Sequence, residues 1–154
     1  MDKKIELLIR IAHEFNKTNI SWALGASMLL YFKDIIDEFN DIDLMIIEED
    51  VDIAYKILSK MGKIKPVEPN PKYQTKIFMK FEIDMIDVDV MAGFMIVNGN
   101  KVYDCSLKKE QIVEKIFLGN EVIPLQSINL WKKYYHLMDR KDKVKTIENT
   151  YIDE

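Results

Sequence analysis

Three pairs of aspartates separated by one residue stand in this chain: Asp41 and Asp43, Asp50 and Asp52, Asp87 and Asp89. Alternate residues of a β-strand share a face, so such a pair on a strand sets two carboxylates side by side. They repel each other unless positive charge lies between them. A divalent cation meets that need, and Mg²⁺ takes hard oxygen ligands from one or two carboxylates together with substrate phosphates. A third carboxylate from a neighbouring strand would allow two ions, the arrangement suited to in-line phosphoryl displacement. Asp50 and Asp52 have a simpler account, because acids favour the first turn of a helix. For the pair 87 and 89, strand parity puts both carboxylates on one face and does not choose between them.

The second constellation is Leu24-Gly25-Ala26-Ser27, with thirteen residues between Ser27 and Asp41. Gly25 falls between a predicted strand and a predicted helix, where a tight turn or close backbone approach is needed. Ser27 falls at the start of that helix, where free N–H groups and the helix dipole favour a phosphate and the hydroxyl adds a donor. One turn thus offers phosphate binding and the next strand offers metal binding. Together they describe a nucleoside triphosphate site.

The elements that must position these residues follow from periodicity. Ile5, Leu8, Ile9, Ala12 and Phe15 recur at helical spacing over 2–16. A short strand over 20–24, a helix over 28–32 and a strand over 41–47 follow. Asp50 is a suitable N-cap and Gly62 a suitable stop for a helix over 51–61. Pro66, Pro69 and Pro71 predict a loop over 63–72. Strands are expected over 74–83 and 86–91 with a turn at Asp84-Met85, and a hairpin over 93–105 with its turn at Asn98-Gly99-Asn100. A helix is expected over 108–117 and an extended piece over 121–125. A last helix, about 127–149, is capped by Ser127 and carries Ile128, Trp131, Tyr135 and Met138 on one face. This order gives an α/β (α+β) domain with a mixed sheet, a single domain over 1–154.

The stretch Trp22-Ala23-Leu24-Gly25-Ala26-Ser27-Met28, with Asn40-Asp41-Ile42-Asp43-Leu44 after it, resembles the signature of the nucleotidyltransferase superfamily. That superfamily includes antibiotic and minimal nucleotidyltransferases and AbiEii-type toxins. Val88-Asp89-Val90-Met91-Ala92-Gly93 resembles the segment that carries the family's third aspartate. The resemblance runs over roughly residues 20–147. It implies a mixed, mostly antiparallel sheet with flanking helices. It implies Asp41, Asp43 and Asp89 as catalytic and metal-binding residues, Gly25 and Ser27 as nucleotide-binding residues, and two Mg²⁺ ions. The implied reaction moves a nucleoside monophosphate from a triphosphate such as ATP to an acceptor hydroxyl and releases pyrophosphate. The acceptor is a small molecule, a protein side chain or an RNA end. The alternatives are a toxin-type enzyme acting on tRNA or protein, and a non-catalytic nucleotide-binding or interaction domain of this fold. Ala26 stands where the family usually has a second glycine, a mild exchange at ordinary backbone angles. Many relatives carry a lysine on the last helix, where Lys132 and Lys133 both stand here; Lys33, Lys76 and Arg140 are further cations of interest.

Composition fits this reading. The chain has 154 residues, 48% apolar and 31% charged, a mixture able to bury a core. A net charge of −4 argues against binding DNA by bulk charge. One cysteine, Cys105, excludes an internal disulfide and fits a reducing cytoplasm. No apolar run approaches the roughly 20 residues of a membrane span, and Met1-Asp2-Lys3-Lys4 does not open a secretory signal. His13 and His136 read as surface or core-edge residues, and the nine methionines as core filler.

Overall fold

The computed structural model describes residues 2–150; Met1 and residues 151–154 of the expected single domain lie outside the described residues. Helix α1 (Lys3–Asn16) begins at Asp2, whose side chain accepts from the Lys4 N–H at 2.7 Å. It turns Leu7, Leu8, Ile11, Ala12 and Phe15 inward, the face that the helical spacing requires. Strand β1 (Trp22–Leu24) is buried throughout and runs straight into α2 (Ala26–Phe32) through Gly25. Strand β2 (Ile42–Ile46) buries Ile42, Leu44 and Ile46 completely, each worth about 1.5–3 kcal/mol, and turns Asp43 to the opposite face.

Helix α3 (Val51–Met61) starts after Asp50, but the Asp50 carboxylate does not cap it. It accepts instead from the Ser21 N–H at 2.7 Å, tying the start of β1 to the start of α3. Strands β3 (Lys63–Lys65), β4 (Ile77–Ile83) and β5 (Ile86–Ala92) follow, with Asp84 and Met85 both at positive φ in the β4–β5 turn. A separate hairpin of β6 (Met95–Asn98) and β7 (Lys101–Asp104) precedes β8 (Glu114–Leu118) and β9 (Glu121–Leu125). Helices α4 (Ile128–Leu137) and α5 (Lys141–Thr150) complete the described chain.

The main sheet has seven strands in the order β3-β4-β5-β2-β1-β9-β8. Its pairings are antiparallel except β2 with β5 and β1 with β9, so the sheet is mixed and mostly antiparallel as expected. The two parallel pairings bring together strands far apart in sequence, and the site residues expected from the sequence lie on or next to β1, β2 and β5 at the centre of the sheet.

Three further expectations need correction. Residues 63–65 are not loop but an edge strand on β4; the prolines beyond Lys65 end it. The expected helix over 108–117 is a 3₁₀ turn, Lys109–Gln111, followed by strand β8. Gly119 at φ +59 turns the chain back so that β8 pairs with β9 from Glu114↔Leu125 to Leu118↔Glu121, and that pairing overrides a helix-compatible pattern. The expected single last helix is two. Asp139 sits at φ +59, the Arg140 N–H reaches the Tyr135 carbonyl at 2.8 Å and the Asp139 N–H reaches the His136 carbonyl at 3.1 Å. This is a Schellman-type stop with aspartate where glycine is usual. No described helix is long and apolar enough to cross a membrane.

Candidate active site

Asp43 and Asp89 are register partners on the parallel strands β2 and β5, and both point to the same face. Lys80 on β4 is the register partner of Asp89 on its other side. Its Nζ stands 3.7 Å from Asp89 Oδ1, an oxygen that is buried and has no hydrogen-bond partner. Asp41 lies just before β2, two residues ahead of Asp43. All three carboxylates line one cavity of about 310 Å³, a size ordinary for small-ligand sites.

Ala26 and Ser27 line the same cavity. The Gly25 N–H donates to the Asp43 carbonyl at 3.1 Å, so the turn and the carboxylate strand are bonded directly. Ser27 is buried, and its Oγ accepts from the Asn40 N–H at 3.4 Å, which fixes the loop that delivers Asp41. Gly25 itself is required by close approach: a Cβ there would stand 2.6 Å from Trp131 Cζ2 and 2.9 Å from Gln126 Oε1. Its own φ of −127° is open to any residue. The unusual angle belongs to Ala26, at φ +55. A side chain with a Cβ costs about 1–2 kcal/mol in that region. The exchange of glycine for Ala26 is therefore not mild, because the backbone angle is not ordinary.

The electrostatics of the cavity are those of clustered carboxylates that Lys80 offsets only in part. The Asp43 carboxyl is held well above its usual range, first by burial and then by Asp89 and Asp41. The Asp89 carboxyl is pushed up to about 6, chiefly by burial; Lys80 pulls it down, and Asp41 and Asp87 push it further up. Among the described residues no three His, Cys, Asp or Glu side chains are arranged to hold a metal ion by themselves.

Asp87 shares the face of Asp89 but stands apart from the cavity. It pairs with Lys65 Nζ at 3.2 Å on the open part of the sheet. Asp84 lies in the β4–β5 turn, bonded to Arg10 at 2.6 Å. The cations singled out on the sequence are mostly engaged elsewhere. Lys33 pairs with Glu114, Lys76 with Glu48 and Lys132 with Glu148, and neither Lys132 nor Lys133 lines the cavity. His13 pairs with Glu121, outside the cavity.

The cations that do line it are Arg140 and Lys143, with Arg140 at the break between α4 and α5 and Lys143 in the first turn of α5. Arg140 also bonds Asp142 and lies 6.0 Å from the Tyr135 ring centre. Lys143 carries no signal in the sequence, because a continuous helix over 127–149 leaves no reason to turn that residue inward. An aromatic wall of Tyr73, Phe78, Phe94, Trp131 and Tyr135 closes the rest. Of these, Trp131 and Tyr135 were expected on the inner face of α4; the others come from segments that only the tertiary fold brings near.

No family model and no curated protein matches the sequence. Solved structures do resemble it. A protein from Thermotoga maritima, provisionally named a nucleotidyltransferase, superposes with a TM-score of 0.72 over 94% of this chain and 90% of its own, at 20% identity. ANT(2″)-Ia, solved in complex with adenylyl-2″-tobramycin, gives a TM-score of 0.67 over 96% of this chain and 87% of its own, at 11% identity. What the two share with this chain is the fold, and it is the nucleotidyltransferase-like fold that the signature implied.

Proposed function

We propose that this chain, built on the fold of those two proteins, is a metal-dependent nucleotidyltransferase. The observation that carries the reading is the convergence of Asp41, Asp43 and Asp89 on the cavity that also takes in Ser27, Arg140 and Lys143. Acids alone would suit a cation and basic groups alone an anion; the two together suit a metal-bound triphosphate.

The donor set fits Mg²⁺. Asp89 Oδ1 is buried without a hydrogen bond, the Asp43 and Asp89 carboxyls are both held above their usual range, and all three carboxylates are hard oxygen donors. Mg²⁺ is commonly held by one or two carboxylates plus substrate phosphates, so a cage of protein atoms alone is not required. Asp41 and Asp43 would hold both ions and Asp89 one of them; when bound, the metal supplies a Lewis acid at the α-phosphate and acidifies the acceptor hydroxyl.

The remaining roles belong to the chain. The Gly25-Ala26-Ser27 turn and the Ser27 hydroxyl hold the β- and γ-phosphates. Arg140 and Lys143, which line the same cavity, offset their charge. Asp89 accepts the proton of the acceptor hydroxyl as its oxygen attacks the α-phosphorus and pyrophosphate leaves. The acceptor is a hydroxyl of a small molecule, a protein or an RNA end. The lone, buried Cys105 suits a cytoplasmic setting for this activity.

Thermal unfolding with ATP, CTP, GTP and UTP, each with Mg²⁺ or EDTA, tests the reading. At a hundredfold excess over the dissociation constant, binding stabilises by about 2.7 kcal/mol, a shift of several degrees. At least one triphosphate should give it with Mg²⁺ only, and Asp43→Asn should abolish it. No shift with any of the four would sink the proposal.

A further inference from the structure

The polar group most deeply buried near the cavity is one the proposed chemistry does not use. Gln126 is 1% exposed and sits at the junction of β9 and α4. Its backbone N–H donates to the Leu24 carbonyl at 3.2 Å, which fastens it to the end of β1. Its Oε1 accepts from the Trp131 indole N–H at 2.7 Å, inside the protein. The indole is fixed on its other sides as well, stacked on Phe94 at 6.0 Å and meeting Tyr134 edge-on at 5.3 Å. The pair so anchored presses on Gly25. A Cβ at that residue would fall 2.6 Å from Trp131 Cζ2, 2.8 Å from Trp131 Nε1 and 2.9 Å from Gln126 Oε1. The next residue, Ala26, carries the left-handed backbone.

A non-glycine residue stays in that region only where its surroundings over-determine it. Trp131 and Gln126 supply the three atoms nearest to where a Gly25 Cβ would stand, and Gln126 is fastened to β1 on its β9 side, away from β2. The opposite side is set by the Gly25 N–H bond to the Asp43 carbonyl. The turn is therefore clamped between the carboxylate strand and the indole–amide pair. The same indole lines the cavity and belongs to α4, the helix that leads directly to Arg140.

We propose that Gln126 and Trp131 are positioning residues that hold the Gly25-Ala26-Ser27 turn in its left-handed, ligand-ready form. They act through Gly25. The inference rests on the reading of that turn as the triphosphate cradle, but the conformation it assigns to Ala26 is measurable without any nucleotide. Gln126→Met keeps length and apolar volume and removes the acceptor of the indole N–H. Trp131→Phe keeps an aromatic ring and removes the donor.

The test is the backbone chemical shifts of Ala26, which report the sign of φ, measured by nuclear magnetic resonance in wild type and both variants. Calorimetry with ATP and Mg²⁺ accompanies it. The expected result is that Ala26 shifts move toward negative-φ values in folded variants and that affinity for ATP with Mg²⁺ falls about 10–100-fold, the scale of a small misplacement of a binding group. Should Trp131→Phe fail to fold, Gln126→Met carries the test. Unchanged Ala26 shifts in a folded variant overturn the proposal whatever the nucleotide does, as does altered Ala26 with undiminished affinity. Altered Ala26 shifts in a protein whose wild type binds no triphosphate leave the clamp standing and remove the nucleotidyltransferase reading instead.

Discussion

Asp43 and Asp89 face each other across the parallel pairing of β2 and β5, and Lys80 continues their row on β4. Asp87 lies one residue pair along β5, about 6–7 Å away along the strand, and is spent on Lys65. Asp89→Ala should therefore remove nucleotidyl transfer, whereas Asp87→Ala should weaken it only modestly. Transfer of the label from an α-labelled triphosphate measures both, and the reverse order would put the third carboxylate at the wrong residue.

The raised carboxyl of Asp89 makes stability depend on pH in the metal-free protein. Its folded value of about 6 lies above its ordinary 3.8, so the folded state binds this proton more tightly than the unfolded state. The contribution is present in full below pH 3.8 and is lost as pH rises through about 6. A shift of about two units corresponds to about 3 kcal/mol. In EDTA, Asp89→Asn should exceed wild type by about 2–3 kcal/mol at pH 8 in urea unfolding, with the gap closing toward pH 4. An equal gap at both pH values contradicts the assigned burial.

The strain at Ala26 predicts a stabilising substitution inside the site. Ala26→Gly removes a cost of about 1–2 kcal/mol and adds an entropic cost of about 0.5–1 kcal/mol, for a net gain centred on about 0.75 kcal/mol. Gly25→Ala should lose about 2–3 kcal/mol, because its Cβ meets the Trp131 ring. Melting temperatures of the two variants should move in opposite directions; a loss in both would mean that Ala26 is not strained.

Arg140→Gln and Lys143→Gln should each weaken binding of a metal-bound triphosphate about tenfold, since hydrogen bonds to charged groups contribute about 1.5–3 kcal/mol. Stability should change little, because the Arg140 pair with Asp142 is exposed and worth at most about 1 kcal/mol. Lys132→Gln and Lys133→Gln, outside the cavity, should leave affinity unchanged. Calorimetry on the four variants separates the two sets, and an effect confined to Lys132 or Lys133 would reassign the cation.

Triphosphate binding should require the metal. Without it the phosphates would meet Asp41, Asp43 and Asp89 with no countercharge between, at a cost of several kcal/mol at the distances of a shared site (about 4 kcal/mol for two unit charges 4 Å apart near a protein surface). Equal affinity in Mg²⁺ and in excess EDTA would show that the carboxylates do not hold the ion.

Much of the site was legible in the chain itself. The alternation Asp41-Ile42-Asp43-Leu44 sorts carboxylates from core residues because a strand has a period of two, and no tertiary information is needed for it. Gly25 and Ser27 were identifiable by their place between a buried strand and a helix start, and Ser127 by its cap, where it accepts from Asn129 N–H at 3.1 Å. Parity does not choose between Asp87 and Asp89, because both fall on one face; the resemblance of the segment around Asp89 favours that residue, and the pairing of β5 with β2 sets it, not Asp87, beside Asp43. Nor could local sequence show β8, whose residues turn to strand only because β9 lies alongside, or the stop at Asp139, which carries no glycine to announce it. Without that stop Arg140 and Lys143 have no reason to face the cavity. The need for Gly25 was local, but its reason was not: the close approach comes from Trp131 and Gln126, about a hundred residues on. Periodicity is a property of neighbouring residues and is written in the sequence. Register, close approach and the meeting of distant charges depend on which strands pair, and only the folded chain decides that.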